Sequence, residues 1–247
     1  MPQAVICFAG SKYVNFVLEY PDINNQNELR EIELADYVIT HDHWHGDFIC
    51  KYCSIKKERM FFLPNASYTD VHNEHDDYLS KKLHIPSGRN IVLHSGGLGE
   101  WFCSKELARS AKKWDASYVL VFHTSHLVEN STYFHELKNE VKDSDKILFS
   151  TTPVPNIELD RLVASAKIGL AIYSLKHLGY RAENIGLAAG KIGNYLKCGV
   201  PVVATNVHSL SYIEDYHCGI LVDNPDEIKD AITKIMGDYD NYVAGAY

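Results

Sequence analysis

The fold of this chain is indicated most clearly by the stretch Lys191-Ile-Gly-Asn-Tyr-Leu-Lys-Cys-Gly-Val-Pro-Val-Val-Ala204. Its first half has the composition of a short helix, and Gly199 suits the left-handed residue that follows a helix end. The run Pro201-Val-Val-Ala204 predicts a buried strand, because proline is tolerated at the first residue of a strand. A helix that leads directly into a strand is the repeating unit of an α/β domain.

The flanking sequence continues this alternation. Upstream, Lys167-Ile-Gly-Leu-Ala-Ile-Tyr173 predicts a strand covered on both faces, and a polar loop follows over 174–190. Downstream, Cys218-Gly-Ile-Leu-Val222 predicts another strand, and Asn224-Pro225 has the cap and first-turn proline of a helix that reaches Met236. The pattern predicts an α/β fold with a Rossmann-like, doubly wound parallel sheet.

The whole chain divides into two parts. Residues 88–247 alternate throughout, with predicted strands over 90–94, 118–123 and 146–150 and predicted helices over 104–114 and 131–142. Residues 1–87 predict only a partial α/β segment, with strands over 13–20 and 37–40, a helix over 27–35 and a polar linker from residue 67. We therefore expect one complete domain, 88–247, preceded by a partial one.

The start of the helix in the 190s predicts an anion site. In an open parallel sheet, ligands bind outside the carboxyl ends of the strands, where helix N-termini present free N–H groups. Gly190 allows the backbone to approach closely there, and Lys191 adds a positive charge. A diphosphate suits such a site. The alternative, that Gly190 and Lys191 simply begin a solvated helix, stays open on spacing alone.

Composition limits the class of function. The formal charge of −8 argues against nonspecific binding to nucleic acid. No apolar run approaches the roughly 18 residues that span a bilayer, and the amino terminus lacks the basic region of a signal peptide. Six cysteines are scattered along the 247 residues, which predicts reduced thiols in a cytoplasmic protein.

Several of these segments resemble a known family. The runs 159–173 and 190–205 are similar to the donor half of GT-B fold glycosyltransferases of the retaining, group 1 type. Residues 218–227 and the turn Gly96-Gly97 resemble other parts of that half, and residues 33–41 and 62–65 resemble the end of an acceptor domain. The resemblance implies that 88–247 is a nucleotide-sugar-binding, Rossmann-like domain and that 1–87 is a partial acceptor-side segment.

The resemblance also implies a reaction. Such an enzyme transfers a sugar from a nucleoside diphosphate sugar to a hydroxyl of a glycan or lipid-linked acceptor, as in polysaccharide biosynthesis, with retained configuration and without a metal or other cofactor. Lys191 is then the catalytic residue that stabilises the departing diphosphate. The residues that we expect at the donor site are Gly96, Gly97, His123, Pro153, Val154, Gly190, Lys191, Ile192, Asn194 and Tyr195.

Two departures from the family pattern qualify this expectation. Many members carry two glutamates in the donor loop, and the corresponding residues here are Gly186 and Asn194, neither a carboxylate. The chain is also shorter than two full domains. We therefore expect a shortened glycosyltransferase, inactive on its own if the acceptor pocket is absent, with peripheral membrane association through the missing acceptor region. A noncatalytic nucleotide-sugar-binding module is the alternative.

A histidine-rich loop provides a third, less favoured hypothesis. The segment Thr40-His-Asp-His-Trp-His-Gly-Asp47 resembles the metal motif of metallo-β-lactamase-type hydrolases. His41, His43 and His45 would then hold zinc in a metal-dependent hydrolase. The alternative interpretation is a polar loop at an interdomain cleft.

His123-Thr-Ser-His126 and the loop 150–155, both at the ends of predicted strands, are further candidates for the lining of the donor cleft.

Overall fold

The computed structural model describes residues 5–6, 12–66, 70–72, 74–125 and 128–247. Within these residues the N-terminal part forms a small sheet in the order β1-β2-β3-β4. Strands β2 to β4 are parallel, and the short β1 pairs antiparallel with β2. The elements are β1 (Val5–Ile6), β2 (Val14–Phe16), α1 (Gln26–Glu33), β3 (Tyr37–Thr40), α2 (His43–Tyr52) and β4 (Met60–Phe62).

The helix α2 corrects the prediction of a polar loop after β3. Asp42 caps this helix, because its Oδ1 accepts a hydrogen bond of 2.9 Å from the backbone N–H of His45. Ile49 lies on the buried face of the helix within the small core, whereas Phe48, also buried, packs against the rings of Tyr20 and Tyr180. The strand predicted over 13–20 is real but shorter, at Val14–Phe16, whereas β3 has the predicted bounds.

The described part of the larger sheet has six parallel strands. Its elements in chain order are α3 (Tyr78–Lys82), β5 (Asn90–Ser95), α4 (Ser104–Ala111), β6 (Tyr118–His123), α5 (Thr132–Val141), β7 (Ile147–Ser150), α6 (Asn156–Ala164), β8 (Ile168–Ala171), α7 (Leu175–Leu178), α8 (Tyr180–Glu183), α9 (Gly190–Lys197), β9 (Val202–Thr205), α10 (Tyr212–Asp215), β10 (Gly219–Val222), α11 (Ile228–Gly237) and α12 (Tyr239–Ala246).

The strand order of this sheet, β10-β9-β8-β5-β6-β7, confirms the predicted doubly wound fold. From β5 the chain adds β6 and β7 on one side, and then returns to place β8, β9 and β10 on the other. The order reverses between β5 and β8. In sheets of this kind the reversal opens a crevice at the carboxyl ends of the two central strands, and this is where ligands bind.

Both faces of the sheet are covered, as the continuous apolar runs predict. Every residue of β8 and β9 is buried. Helix α9 packs on one face through Ile192 and Tyr195, and α4 and α11 pack on the other through residues such as Leu107 and Ile232. The domain boundary predicted at residues 87 and 88 falls between α3 and β5 and stays a prediction.

The polar loop predicted over 174–190 contains more structure than expected. It forms the single-turn helices α7 and α8 and a 3₁₀ turn over Gly186–Ala188 before α9 begins. The helix predicted from Asn224 also begins with a 3₁₀ turn, over Pro225–Glu227, and Asn224 caps it by accepting from the N–H of Asp226 at 3.0 Å. After α11, the chain adds α12, which sequence reasoning did not predict.

Candidate functional site

The candidate site lies at the carboxyl ends of β5 and β8, where the strand order reverses. Gly96 and Gly97 follow β5 directly, and α9 begins at Gly190. The structure brings the side chain of Lys191 to the glycine turn: its Nζ lies 3.3 Å from the position that a Cβ would occupy on Gly96. Two segments almost a hundred residues apart therefore meet at the switch point of the sheet.

The ammonium group of Lys191 is shielded from solvent. Its Nζ lies 4.3 Å from the centre of the Phe102 ring and 5.2 Å from that of Tyr173. The atom has no hydrogen-bond partner among the described residues. Burial lowers the pKa of Lys191 to about 7, because the low-polarity surroundings disfavour the charged form.

A buried ammonium without a partner is costly, and protein interiors avoid it unless a function requires it. The aromatic rings recover part of the cost through cation–π attraction. The first turn of α9 adds its own positive potential, since no side chain caps it. An anion that entered here would meet one full and several partial positive charges at once.

The glycine turn is held in place by its neighbours. Gly96 has a φ of +140°, which favours glycine, and its N–H donates to the carbonyl of His123 at 2.9 Å. The Nε2 of His94 donates to the carbonyl of Gly97 at 2.9 Å. Burial, followed by the charge of Lys191, lowers the pKa of His94 to about 3, so this imidazole is neutral. A side chain on Gly97 would lie 2.8 Å from the Phe102 ring.

Helix α9 is anchored to the sheet through its inner face. Tyr195 is fully buried, its hydroxyl accepts from the N–H of Ser95 at 2.8 Å, and it donates to the carbonyl of Leu93 at 3.0 Å. Ile192 is also in the core, whereas Asn194 is half-buried. The structure therefore places the side chains of Ile192 and Tyr195 beneath the helix, where they position Lys191.

The remaining predicted donor residues lie on neighbouring loops. His123 ends β6, is buried, and has its Nδ1 3.1 Å from the Ser150 hydroxyl. Pro153 is exposed and Val154 half-buried in the loop between β7 and α6. His126 lies outside the described residues. The roles of these residues in binding a donor stay predictions.

The three histidines predicted as a zinc site do not converge. Both ring nitrogens of His41 face backbone carbonyl oxygens, those of Leu63 at 3.3 Å and Leu18 at 3.0 Å, so neither is directed at the other two histidines. His43 is exposed, and His45 is buried against Tyr20, with ring centroids 4.0 Å apart. Within the described ranges, no group of three His, Cys, Asp or Glu side chains is arranged to hold a metal ion.

Residues from the small sheet reach the loop before α9, and sequence reasoning missed them. The Oδ2 of Asp42 accepts a hydrogen bond of 2.6 Å from the N–H of Leu187. Asn65, which follows β4, donates through its backbone to the carbonyl of Leu187 at 3.1 Å and through its side chain to that of Ala188 at 3.2 Å. Gly190 permits this approach, because a Cβ there would lie 2.9 Å from the Asn65 amide.

Phe102 and Tyr173 were also missed, although each follows a feature that the sequence does show. Phe102 comes shortly after the glycine turn, and Tyr173 is the last residue of the apolar run around β8. The available signal was an aromatic residue soon after the end of each central strand, β5 and β8. Beyond Tyr173 lies a cavity of about 180 Å³, lined among others by Thr205 and Asp223.

None of the described helices is long and apolar enough to cross a bilayer.

Comparison with solved structures relates this architecture to known proteins. HepE from Anabaena, solved with UDP-glucose, is 16% identical, with a TM-score of 0.73 over 94% of this chain and 65% of that one. Sucrose-phosphate synthase from Thermosynechococcus elongatus is 17% identical, with a TM-score of 0.70 over 94% of this chain and 60% of that one. The C-terminal domain of LpcC from Francisella tularensis is 17% identical, with a TM-score of 0.53 over 72% of this chain and 92% of that one.

These similarities are similarities of fold. This chain spans less than two thirds of the length of HepE and of sucrose-phosphate synthase. No curated protein sequence matches it. A sequence model of the glycosyl transferases group 1 family matches residues 105–238, which is more than half of the chain and includes α9 with Lys191. The chain therefore belongs to the group 1 glycosyltransferase family, and its two α/β sheets have the GT-B fold.

Proposed function

We propose that this chain binds a nucleoside diphosphate sugar, with the diphosphate at the start of α9 against Lys191. The observation that carries the proposal is the buried Nζ of Lys191, which has no hydrogen-bond partner among the described residues and lies at the switch point of the sheet. A dianionic diphosphate would supply the missing counter-charge and could accept from the first N–H groups of α9. HepE, which shares the fold, was solved with UDP-glucose, so UDP-sugars are the first donors to try.

The proposed reaction is transfer of the sugar to a hydroxyl acceptor with retained anomeric configuration. As the bond between sugar and phosphate breaks, negative charge builds on the terminal phosphate of the leaving nucleotide. An ammonium already aimed at that phosphate stabilises the transition state more than the ground state, and this difference is what accelerates a reaction. Lys191 is therefore the residue to which we assign catalysis. The proposal needs no metal ion.

For the acceptor, the proposal extends only to its chemical class and to where it enters. We expect a glycan or lipid-linked acceptor to enter between the two sheets, and membrane association to depend on an acceptor domain. Gly186 and Asn194 offer no carboxylate to the donor, and this favours a second candidate, a nucleotide-sugar-binding module without transfer activity. Both candidates use the same diphosphate site and differ only in turnover.

Titration calorimetry tests the proposal. UDP-glucose and a GDP-sugar are titrated into the wild-type chain and into Lys191→Ala, each with and without a chelator. We expect chelator-insensitive binding of one donor by the wild-type chain. If the chain turns over, the kcat/KM of the variant should fall by an amount that corresponds to a loss on the order of 2–4 kcal/mol of transition-state stabilisation. Lys105→Ala is the matched control, because Lys105 is paired with Glu136 at 2.6 Å.

The outcomes separate the candidates. Binding with release of free or transferred sugar supports the transferase, and binding without any product supports the module. Unchanged donor affinity and turnover in Lys191→Ala would contradict both. Zinc-dependent hydrolysis without nucleotide affinity would likewise contradict both candidates.

A further inference from the structure

Asp42 is a carboxylate of the small sheet that reaches into the nucleotide-binding half of the chain. It is only 4% exposed, and it forms no ion pair within the described residues. Its two oxygens have different partners: Oδ1 accepts from His45 N–H at 2.9 Å and Oδ2 from Leu187 N–H at 2.6 Å. One side chain thus caps α2 and holds the loop before α9.

The position of this carboxylate depends on a glycine. A Cβ built on Gly186 would overlap Asp42 Oδ2, and Gly186 has a φ of +41°, in the left-handed region. The volume that a side chain at position 186 would fill is therefore occupied by a carboxylate from the other sheet. Asp42 and Gly186 are mutually dependent, although 144 positions separate them.

The loop is held from three directions at consecutive residues. The N–H of Gly186 donates to the Ser209 hydroxyl at 3.2 Å, that of Leu187 donates to Asp42, and the carbonyls of Leu187 and Ala188 accept from Asn65. Only Ala189 and Gly190 separate this clamped turn from Lys191. Displacement of the turn would therefore shift the start of α9 and its ammonium.

We propose that Asp42 is a positioning residue that fixes the loop over 186–189 and thereby places the ammonium of Lys191 for its anionic ligand. This inference rests on the proposed function and adds to it that the diphosphate site depends on the small sheet as well as on the larger one. Asp42 does not itself touch the ligand in this account. It acts through the N–H of Leu187.

Substitution can separate the two roles of Asp42, the cap of α2 and the contact with the loop. Asparagine and serine are good N-cap residues, so Asp42→Asn and Asp42→Ser keep an oxygen for the N–H of His45. An amide has only one oxygen, and with that oxygen on the N–H of His45 its NH₂ would face the N–H of Leu187 donor to donor. Serine has no second oxygen to reach Leu187. Asp42→Ser therefore removes the loop contact and retains the cap of α2, and Asp42→Asn does the same when its oxygen stays on the cap.

The experiment combines hydrogen exchange with a double-mutant cycle, using UDP as the probe. We expect Asp42→Asn and Asp42→Ser to exchange the amides of residues 186–191 faster than the wild-type chain and to bind UDP roughly tenfold more weakly or worse. In a Lys191→Met background the Asp42 substitutions should change the UDP affinity little further, because both act at one ammonium. Asn25→Ala, which removes the cap of α1, is the control for a general loss of stability.

Each outcome has one meaning. Unchanged exchange over 186–191 overturns the inference, as does unchanged UDP affinity in Asp42→Asn and Asp42→Ser. Effects on affinity that simply add to that of Lys191→Met, or that Asn25→Ala reproduces, also overturn it. If the wild-type chain binds neither UDP nor GDP, the proposed function fails, and the exchange data still decide whether Asp42 fixes the loop.

Discussion

The Nζ of Lys191 lies 3.3 Å from the Cβ position of Gly96, whose φ is +140°. A side chain at position 96 would both strain the backbone and crowd the ammonium. We expect Gly96→Ala to lower the free energy of unfolding by about 1–3 kcal/mol. We also expect it to weaken UDP binding by roughly tenfold, because the glycine turn and the lysine share the site. Urea unfolding and calorimetry measure the two effects.

Gly88→Ala is the matched control for this prediction. Gly88 also has a positive φ, +87°, but nothing lies within 4 Å of its Cβ position. The substitution should therefore destabilise the fold by a similar amount and leave the UDP affinity unchanged. Equal losses of affinity in the two variants would mean that backbone strain alone, and not the contact with Lys191, explains the effect of Gly96→Ala.

Lys191→Met should stabilise the protein while it removes the anion site. Burial lowers the pKa of Lys191 from 10.5 to about 7, so between these pH values the unfolded chain binds more protons than the folded one. The cost of the buried charge is fully present below pH 7 and falls as the pH rises. We expect the variant to exceed the wild type by about 2–4 kcal/mol in unfolding free energy at pH 7.

This difference should shrink by up to about 1.4 kcal/mol per pH unit towards pH 9. Urea unfolding of both proteins at pH 7, 8 and 9 measures it, and other titrating groups, such as the buried thiols, affect both proteins alike. A variant less stable than the wild type at pH 7, or a difference that does not change with pH, would show that burial of the Lys191 ammonium does not destabilise the folded protein.

Nucleotide binding should take up a proton above neutral pH. At pH 8 the free site holds Lys191 largely uncharged, and a bound diphosphate favours the ammonium. His94, with a pKa of about 3, stays neutral. Burial raises the pKa values of Tyr173 and Tyr195 above the ordinary tyrosine value, so these hydroxyls stay protonated at pH 8. Calorimetry of UDP binding in buffers of different ionisation enthalpy should give an uptake approaching one proton in the wild type and none in Lys191→Met. Equal uptake in both would place the titrating group elsewhere.

Tyr195→Phe should be destabilising in spite of its small change in volume. The hydroxyl accepts from Ser95 N–H at 2.8 Å and donates to the carbonyl of Leu93 at 3.0 Å, and its loss removes both hydrogen bonds from the core. The cost should be about 1–3 kcal/mol in urea unfolding. Tyr216→Phe, at a side chain 71% exposed, should cost less than about 0.5 kcal/mol. Similar costs for both would contradict the anchoring role of Tyr195.

Most of the larger sheet is predictable from sequence because its strands are continuous apolar runs. The strands β6 and β8 can be predicted without knowing which strands lie beside them, since a strand buried on both faces is apolar throughout. Helix α2 was mistaken for a loop because three histidines obscured its pattern. The cap Asp42 and the buried Phe48 and Ile49, at helical spacing, were the signal that could have found it.

The candidate site is only partly predictable, because several of its contacts join distant segments. Glycine, lysine and a helix start predict an anion site locally, and Lys191 does lie at the glycine turn. The burial of its ammonium under Phe102 depends on packing between elements that are far apart in sequence. The contact between Asp42 and Leu187 spans two sheets, and no spacing in the sequence indicates it.

A crystal structure of the chain with UDP tests the central claim most directly. The measured quantity is the distance from Lys191 Nζ to the nearest phosphate oxygen. We predict a charge-assisted hydrogen bond of about 2.7–2.9 Å, with the same phosphate against the first N–H groups of α9. A diphosphate bound elsewhere, for example in the cavity beside Tyr173 and Thr205, with Lys191 still unpaired, would contradict the account.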